Sequence, residues 1–214
     1  MNKFAKGYNG YKLIWIFLTC SVLGAFVEMI WCYFTMGKMM SRSSLLFGQF
    51  SIVWGMGCVL LTVLLHCMKN QKTIHVFWVG TLTGGLYEYA CSLLTEYVFG
   101  VKFWDYSHIP LNIQGRVNVL FCLFWGLIAV VWLRIIYPWL SQMIERIPSH
   151  FGIPLTWCLV VFLVYDMTLS AMALVRGYER QQNIPAQTVF EQHLDKEYDD
   201  EFLSHRYQNM KLLK

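Results

Sequence analysis

The chain has 214 residues, of which 57% are hydrophobic and 14% are charged, and its formal net charge is +4. This composition excludes an ordinary soluble domain, in which about a quarter of the residues are charged. The basic residues are scattered singly, so the positive charge gives no reason to expect nucleic acid as a partner. Apolar blocks fill the first part of the chain and most acidic residues follow them, which predicts a transmembrane domain over residues 1–175 and a polar, amphipathic tail over residues 176–214.

Five apolar stretches are long enough to cross a bilayer as helices, which takes about 20 residues each. In chain order they are predicted at residues 13–34, 50–68, 74–99, 117–137 and 154–175. The first follows a basic start but is too long for a cleaved signal peptide, so we expect it to be retained. Five spans place the termini on opposite sides, and Lys and Arg favour a cytoplasmic N-terminus by seven residues to six.

Two glutamates lie inside these apolar blocks, and each ends a similar motif. Glu28 ends the sequence GAFVE at 24–28, and Glu88 ends GGLYE at 84–88. A carboxylate at the centre of a bilayer costs roughly 2.5–3.5 kcal/mol on insertion scales, so such residues usually face a protein interior or a watery cavity and usually have a function. Both are therefore candidate substrate ligands and, if the protein is an enzyme, candidate catalytic residues.

The two motifs belong to longer segments that resemble each other. Each glutamate is followed, after a polar loop, by a Trp-Gly pair at the next apolar stretch: Trp54-Gly55 and Trp125-Gly126. The spacing from glutamate to tryptophan is 26 residues (54 − 28) in the first copy and 37 (125 − 88) in the second, as if the second loop held an insertion. This predicts a parallel duplicated helical hairpin. The alternative is chance similarity among glycine-rich membrane helices, where small-xxx-small spacing serves packing alone.

A polar ridge continues from Glu88 through Ser92 to Glu96 along the third span, because these residues are one helical turn apart. Arg116 begins the fourth span on the face of the membrane where Glu96 leaves the third, so we expect the two to pair. The loop between them is rich in polar residues, which indicates a binding site or an interfacial cap. The candidate substrate-binding residues are Glu28, Glu88, Ser92, Glu96, Asp105, Tyr106, Ser107, Asn112 and Arg116.

Two other features leave alternatives open. Asp166 lies near the middle of the fifth span and is expected either to hydrogen-bond a neighbouring helix or to join the polar cavity. In the tail, apolar residues recur at three- and four-residue spacing, which predicts a short amphipathic helix on the membrane domain or on a partner. These apolar residues are Val189, Phe190, Leu194, Tyr198, Phe202 and Leu203.

Several motifs are absent from the sequence. It has no Gly-x-x-x-x-Gly-Lys-Ser/Thr loop, so ATP would have to be hydrolysed by another polypeptide. It has no Gly-x-Ser-x-Gly elbow and no His-Glu spacing typical of zinc sites, so we expect no serine hydrolase, no metal and no cofactor.

Together these motifs resemble the ABC transporter permease family (ABC-transporter type IV), small bacterial polytopic membrane proteins. The similar residues are GAFVE at 24–28, Glu88-Tyr89, Ser92, Glu96, Phe99-Gly100, WDYS at 104–107, Pro110, Asn112, Gly115-Arg116, Trp125-Gly126, Glu179-Arg180 and YQNM at 207–210. Two departures are that the family's Gly-Pro-Phe-x-Pro-Ile-Tyr-Gly segment reads GQFSIVWG at 48–55, without prolines, and that no Ser precedes Trp125. The resemblance implies a component of a transporter in the bacterial cytoplasmic membrane, with a separate ATP-binding subunit.

Three functions are therefore compared. The first is a permease component for a small solute or ion, surrounded by membrane lipids and expected to dimerise with a second copy because five spans are few for a pathway. The second is a membrane-embedded enzyme for a lipid or lipid-linked substrate, in which Glu28 and Glu88 act as acid and base and Arg116 and Arg42 hold a phosphate or carboxylate head group. The third is a membrane assembly factor whose polar cluster recognises a partner protein.

Overall fold

The computed structural model describes residues 4–212, and the chain is 71% helical with very little strand. The helices are α1 (Gly10–Met36), α2 (Ile52–Leu65), α3 (Thr73–Phe99), α4 (Val119–Val131), α5 (Tyr137–Glu145), α6 (Ser149–Gln181), α7 (Val189–Glu197) and α8 (Asp200–Arg206). A short 3-10 turn follows α2, and a π-helical turn joins α4 to α5 without a break. Four two-residue strands form two antiparallel ribbons: β1 (Val101–Lys102) with β4 (Lys211–Leu212), and β2 (Asn112–Ile113) with β3 (Val117–Asn118).

The prediction of an all-α membrane protein is confirmed. In the described part of the chain, three helices have both the length and the apolar composition needed to cross a bilayer: Gly10–Met36, Val119–Glu145 and Ser149–Gln181. The second predicted span forms an apolar helix over Ile52–Met68 that is shorter than 18 residues, and α3 is 27 residues long but carries more polar side chains. The structure thus contains a helix for every predicted span. That α2 and α3 also cross the membrane, which would make five crossings, stays a prediction.

The last two long helices extend beyond their predicted ends. The fourth predicted span stops at Tyr137, but the helix continues to Glu145, and α6 begins five residues before the predicted start at Pro154 and ends at Gln181. The added turns mix apolar side chains, such as Trp139 and Phe151, with polar ones, such as Gln142 and Glu145. Because hydropathy is averaged over neighbouring residues, it marks the apolar centre of a helix more sharply than its ends.

The first four helices form two antiparallel hairpins, α1 with α2 and α3 with α4. Their largest apolar cluster lies towards the N-terminal side and includes Ile16, Leu65 and Trp132, each at most 2% exposed. A turn at residues 69–72 reverses the chain between α2 and α3, so α1 and α3 run in the same direction. The loops that follow α1 and α3 therefore lie on the same side, opposite the N-terminus.

The tail packs on the membrane domain, but as two helices where one was predicted. The first ends at Glu197, and Asp199 caps the start of the second, because its side chain accepts a hydrogen bond from the Phe202 backbone amide. Leu194 and Leu203 are buried against α6, whereas Val189, which was expected on the same apolar face, is 83% exposed. The final ribbon, β1 with β4, ties the end of the described chain to the loop after α3.

Candidate functional site

The two hairpins pack with the same contacts. A Cβ atom added to Gly24 would come within 3.0 Å of the Trp54 side chain, and one added to Gly84 would come equally close to Trp125. The matching glycines are 60 residues apart (84 − 24) and the matching tryptophans 71 apart (125 − 54). In each hairpin, therefore, the indole lies directly on a helix that has no side chain at that point.

The glycine after each tryptophan is also a point of close contact, and here the second helix of the hairpin is the one without a side chain. A Cβ on Gly55 would collide with the Ser21 hydroxyl and stand 2.8 Å from the Phe17 carbonyl oxygen. A Cβ on Gly126 would collide with Thr81 and stand 2.7 Å from the Phe77 carbonyl oxygen, and both of these residues lie 60 positions after their counterparts. Since glycine lets two backbones approach closely, the small residues set the same helix spacing in both hairpins. These matched contacts are what a duplicated hairpin would produce.

Glu28 is held at both of its carboxylate oxygens. Oε1 accepts a hydrogen bond of 2.7 Å from the indole Nε1 of Trp54, and Oε2 accepts one of 2.8 Å from Nε of Arg42. Arg42 comes from the loop between α1 and α2. The Glu28 side chain is 28% exposed and that of Arg42 is 18% exposed, so the pair is only partly withdrawn from solvent.

Glu88 is held in the same way by a different loop residue. Oε2 accepts a hydrogen bond of 3.2 Å from the indole Nε1 of Trp125, and Oε1 accepts one of 2.7 Å from the Tyr106 hydroxyl. Burial raises the pKa of the Tyr106 phenol above its ordinary value, as does nearby Glu88, so the hydroxyl keeps its proton and acts as a hydrogen-bond donor to the carboxylate. The Tyr106 ring stacks on Phe121 at 4.7 Å, which fixes its direction. Glu88 is 7% exposed.

The two carboxylate sites are neighbours but do not touch through their carboxylates. Their indoles lie beside each other, with the ring centroids of Trp54 and Trp125 6.1 Å apart. Tyr87 packs edge-on against Trp125 and donates a 2.7 Å hydrogen bond to the Val53 carbonyl at the start of α2. Packed aromatic rings therefore connect the two sites.

The predicted pairing of Glu96 with Arg116 is present in the structure. The Arg116 guanidinium donates a hydrogen bond to Glu96 Oε2, and the ammonium of Lys102 lies 4.0 Å from the same oxygen. The guanidinium also lies 5.9 Å from the centre of the Tyr89 ring. Ser92, one turn before Glu96, is buried on the same helix. This pair closes the loop of residues 101–118 onto the end of α3.

Other polar residues of that loop are hydrogen-bonded within it. Asp105 accepts hydrogen bonds from the hydroxyl and the backbone amide of Ser107, which lower the pKa of the Asp105 carboxyl. Asn112 donates to the Ile109 carbonyl and accepts from the Gly115 amide. Gly115 has a φ of +69°, and a Cβ atom added there would collide with the Ser107 hydroxyl. Only glycine therefore fits this turn without strain. These side chains shape the loop that carries Tyr106 to Glu88.

Asp166 hydrogen-bonds a loop and its own helix, where a neighbouring helix or the polar cavity was expected. Its Oδ1 accepts hydrogen bonds from the Phe47 backbone amide and from the Ser170 hydroxyl, both at 3.2 Å. Ser170 also accepts a hydrogen bond from the Leu46 amide. Asp166 is fully buried. The two α6 side chains thus anchor the loop that supplies Arg42.

A cavity of about 400 Å³ lies beside Glu28, between α2, α3, α6 and the tail. Most of its surface is apolar. Its polar side is formed by Glu28, Arg42, four serines of the α1–α2 loop, and Gln208 and Asn209 of the tail. Glu88 is not part of its wall. Of the two duplicated carboxylates, the one with an arginine partner is therefore also the one that faces open space.

Sequence reasoning missed the indole donors and the residues of the tail that line the cavity. The sequence did mark Trp54 and Trp125, since the Trp-Gly repeat is visible in it, but not as ligands of the glutamates. The recurrence of a glutamate followed by a Trp-Gly pair was visible in both segments, but the same pattern fits a tryptophan that serves packing alone. Nothing in the sequence placed the tail over the cavity.

With this geometry in place, comparison with known proteins gives one match. Residues 15–171, which span both hairpins and most of α6, match the family described as "Putative ABC-transporter type IV". This chain belongs to that family. Comparison with curated proteins and with solved structures finds no match. The matched region contains both carboxylate sites and ends before the tail.

Proposed function

We propose that this chain is the membrane-embedded permease component of an ATP-driven transporter. Its solute would occupy the cavity beside Glu28, and a separate polypeptide would hydrolyse ATP. The family and the three helices able to cross a bilayer support the membrane component. The lack of a phosphate-binding loop in the sequence supports a separate ATPase.

The observation that carries the proposal is the composition of the cavity wall. Apolar side chains such as Met56, Leu94 and Leu174 form most of it, while Glu28 and Arg42 lie at one side. Binding sites for small molecules usually combine apolar walls with a few convergent polar groups. The cavity therefore suits a small amphipathic solute whose charged or zwitterionic group exchanges hydrogen bonds with the Glu28–Arg42 pair.

Two features of the assembly belong to the same proposal. Because five helices enclose little space, we propose that two copies form the complete pathway, which a mass measurement of the detergent-solubilised protein would test. The basic residues favour an N-terminus in the cytoplasm of a cell bounded by a cytoplasmic membrane. Cysteine labelling from each side of intact cells would test that orientation.

The test of transport compares solutes in cells and in medium for a deletion strain restored with different variants. Wild type and Gly10→Ala, a change with no neighbour within 4 Å, should restore the solute distribution. Glu28→Gln and Arg42→Gln should leave one soluble solute redistributed, with lipids unchanged. An affinity-tagged chain should co-purify with a protein that carries a phosphate-binding loop.

The opposite pattern would contradict the proposal. A lipid or lipid-linked precursor that accumulates both in the deletion strain and in the Glu28→Gln strain would indicate the membrane-embedded enzyme. Normal solute and lipid levels in every strain, with a partner protein lost from the membrane, would indicate the assembly factor.

A further inference from the structure

A second pocket lies at the other end of the helices and is lined by basic residues. It has a volume of about 540 Å³ and is formed by the start of α1, the end of α2, the π-helical turn and α5. Lys12 in its wall is 16 residues (28 − 12) before Glu28 on the same helix, which corresponds to about 24 Å along the axis. The pocket is therefore separate from the cavity assigned to the solute.

The one acidic residue in the described wall of this pocket is already paired. Glu145 accepts a hydrogen bond from the Lys12 ammonium and another, of 3.1 Å, from the Gly7 backbone amide. Lys12 is 1% exposed and also donates a 2.6 Å hydrogen bond to the Ser141 hydroxyl. The buried lysine thus neutralises the carboxylate, which leaves little negative charge to oppose an anion.

Two further cations in the wall have no carboxylate partner within residues 4–212. The Lys69 ammonium lies 5.6 Å from the centre of the Tyr137 ring. Arg134 donates hydrogen bonds to the backbone carbonyls of Lys69 and Gln71, so its charge is positioned but not neutralised. With Lys12 and Glu145 included, the wall carries three positive charges and one negative charge, a net +2. His66 also lines the pocket, and its Nδ1 atom is buried from solvent and has no hydrogen-bond partner in the described chain.

We propose that this pocket binds a phosphate group, carried by an anionic lipid or present as the free ion. A guanidinium held by backbone carbonyls and a nearby ammonium match the charge and the several acceptor oxygens of phosphate. The pocket lies at the ends of membrane helices, where basic pockets between helices bind anionic head groups. Its occupant would bridge α2 and α5, and so hold the two hairpins together on this face.

The test measures the thermal stability of the full chain in detergent during titration with phosphatidylglycerol. Phosphatidylcholine serves as the uncharged lipid control, and inorganic phosphate at constant ionic strength serves as the free anion. We expect phosphatidylglycerol to raise Tm. Removing one cation by Lys69→Gln should weaken the apparent affinity about fivefold, and adding Arg134→Gln should weaken it about 25-fold in total.

The matched control is the double variant Lys6→Gln/Lys72→Gln, which removes two exposed basic residues from the same face but outside the pocket. It should bind as tightly as wild type. Because Arg134 also supports a turn, each variant is compared with its own Tm without ligand, and Lys69→Gln alone provides the result if the double variant does not fold.

Stabilisation by inorganic phosphate without phosphatidylglycerol would identify the free ion as the occupant. Stabilisation by neither ligand, or equal stabilisation of wild type and Lys69→Gln, would overturn the proposal.

Discussion

Replacing Gly84 by alanine should destabilise the protein, because there is no room for the added methyl group. The new Cβ would lie within 3.0 Å of the Cβ and Cγ of Trp125, which are the root of that side chain, so the backbone itself must move. Overpacking of this kind costs about 1–3 kcal/mol. Alanine recovers about 0.8–1.0 kcal/mol over glycine inside a helix. A weaker hydrogen bond from Trp125 to Glu88 would cost about 1 kcal/mol more, so the net loss should be about 1–3 kcal/mol.

Thermal unfolding of the purified protein in detergent, followed by tryptophan fluorescence, measures this loss. For a chain of this size each kcal/mol corresponds to about 2–4 °C, so Tm should fall by roughly 2–12 °C. Gly24→Ala should cause a similar fall, since its Cβ would meet Trp54 in the same way. Gly10→Ala, at a glycine with nothing within 4 Å, should leave Tm unchanged or slightly higher. The reasoning is refuted if Gly84→Ala melts at the same temperature as Gly10→Ala.

Two further predictions concern hydrogen bonds to carboxylates. Tyr106→Phe should lower the free energy of unfolding in denaturant by about 1–3 kcal/mol, because Glu88 stays buried with one hydrogen-bond donor fewer. Tyr87→Phe loses only a hydrogen bond to a backbone carbonyl, so it should lower the free energy of unfolding by about 1 kcal/mol. Equal losses in the two variants would count against a special role for the carboxylate. In the tail, the hydrogen bond from Arg176 lowers the pKa of the Asp195 carboxyl in the folded protein. The stability from this contact is therefore complete above the unfolded pKa of about 3.9 and is lost as pH falls through the lower folded pKa. The difference in Tm between wild type and Asp195→Asn should therefore be largest near pH 6 and shrink below pH 4, and a difference independent of pH would contradict the assignment.

The matching contacts of the two hairpins were predictable because close helix packing leaves a mark in the sequence. Gly24 and Gly84 must be small where an indole lies on the backbone, and this requirement is visible as a repeated motif. The Glu96–Arg116 pair was predictable for a similar reason, since two opposite charges at the same membrane face have few other partners. The hydrogen bond from each indole to its glutamate was not, because a tryptophan used only for packing has the same sequence context.

Other features depend on tertiary contacts that a single sequence does not contain. The fourth predicted span ended too early and the fifth began too late, because the turns after Tyr137 and before Pro154 mix polar with apolar side chains and have a weaker hydropathy signal. The tail was predicted as one helix because apolar spacing continues across Asp199, but this residue starts a new helix by capping it. Its position over the cavity follows from Arg206, which donates hydrogen bonds to the carbonyls of Leu45 and Gly48.

The two copies of the hairpin keep the same indole bond but have different loop partners, which separates their roles. A buried carboxylate needs hydrogen bonds or an opposite charge to offset the loss of water. Glu28 has a cation as partner and faces the cavity, so under the proposed transport function a solute would compete for the groups that hold it. Glu88 has only neutral donors, lies outside the cavity wall and fixes the longer loop through Tyr106. Under the same proposal, Glu28 would serve solute recognition and Glu88 would support the loop, and the contact between their indoles would connect the two.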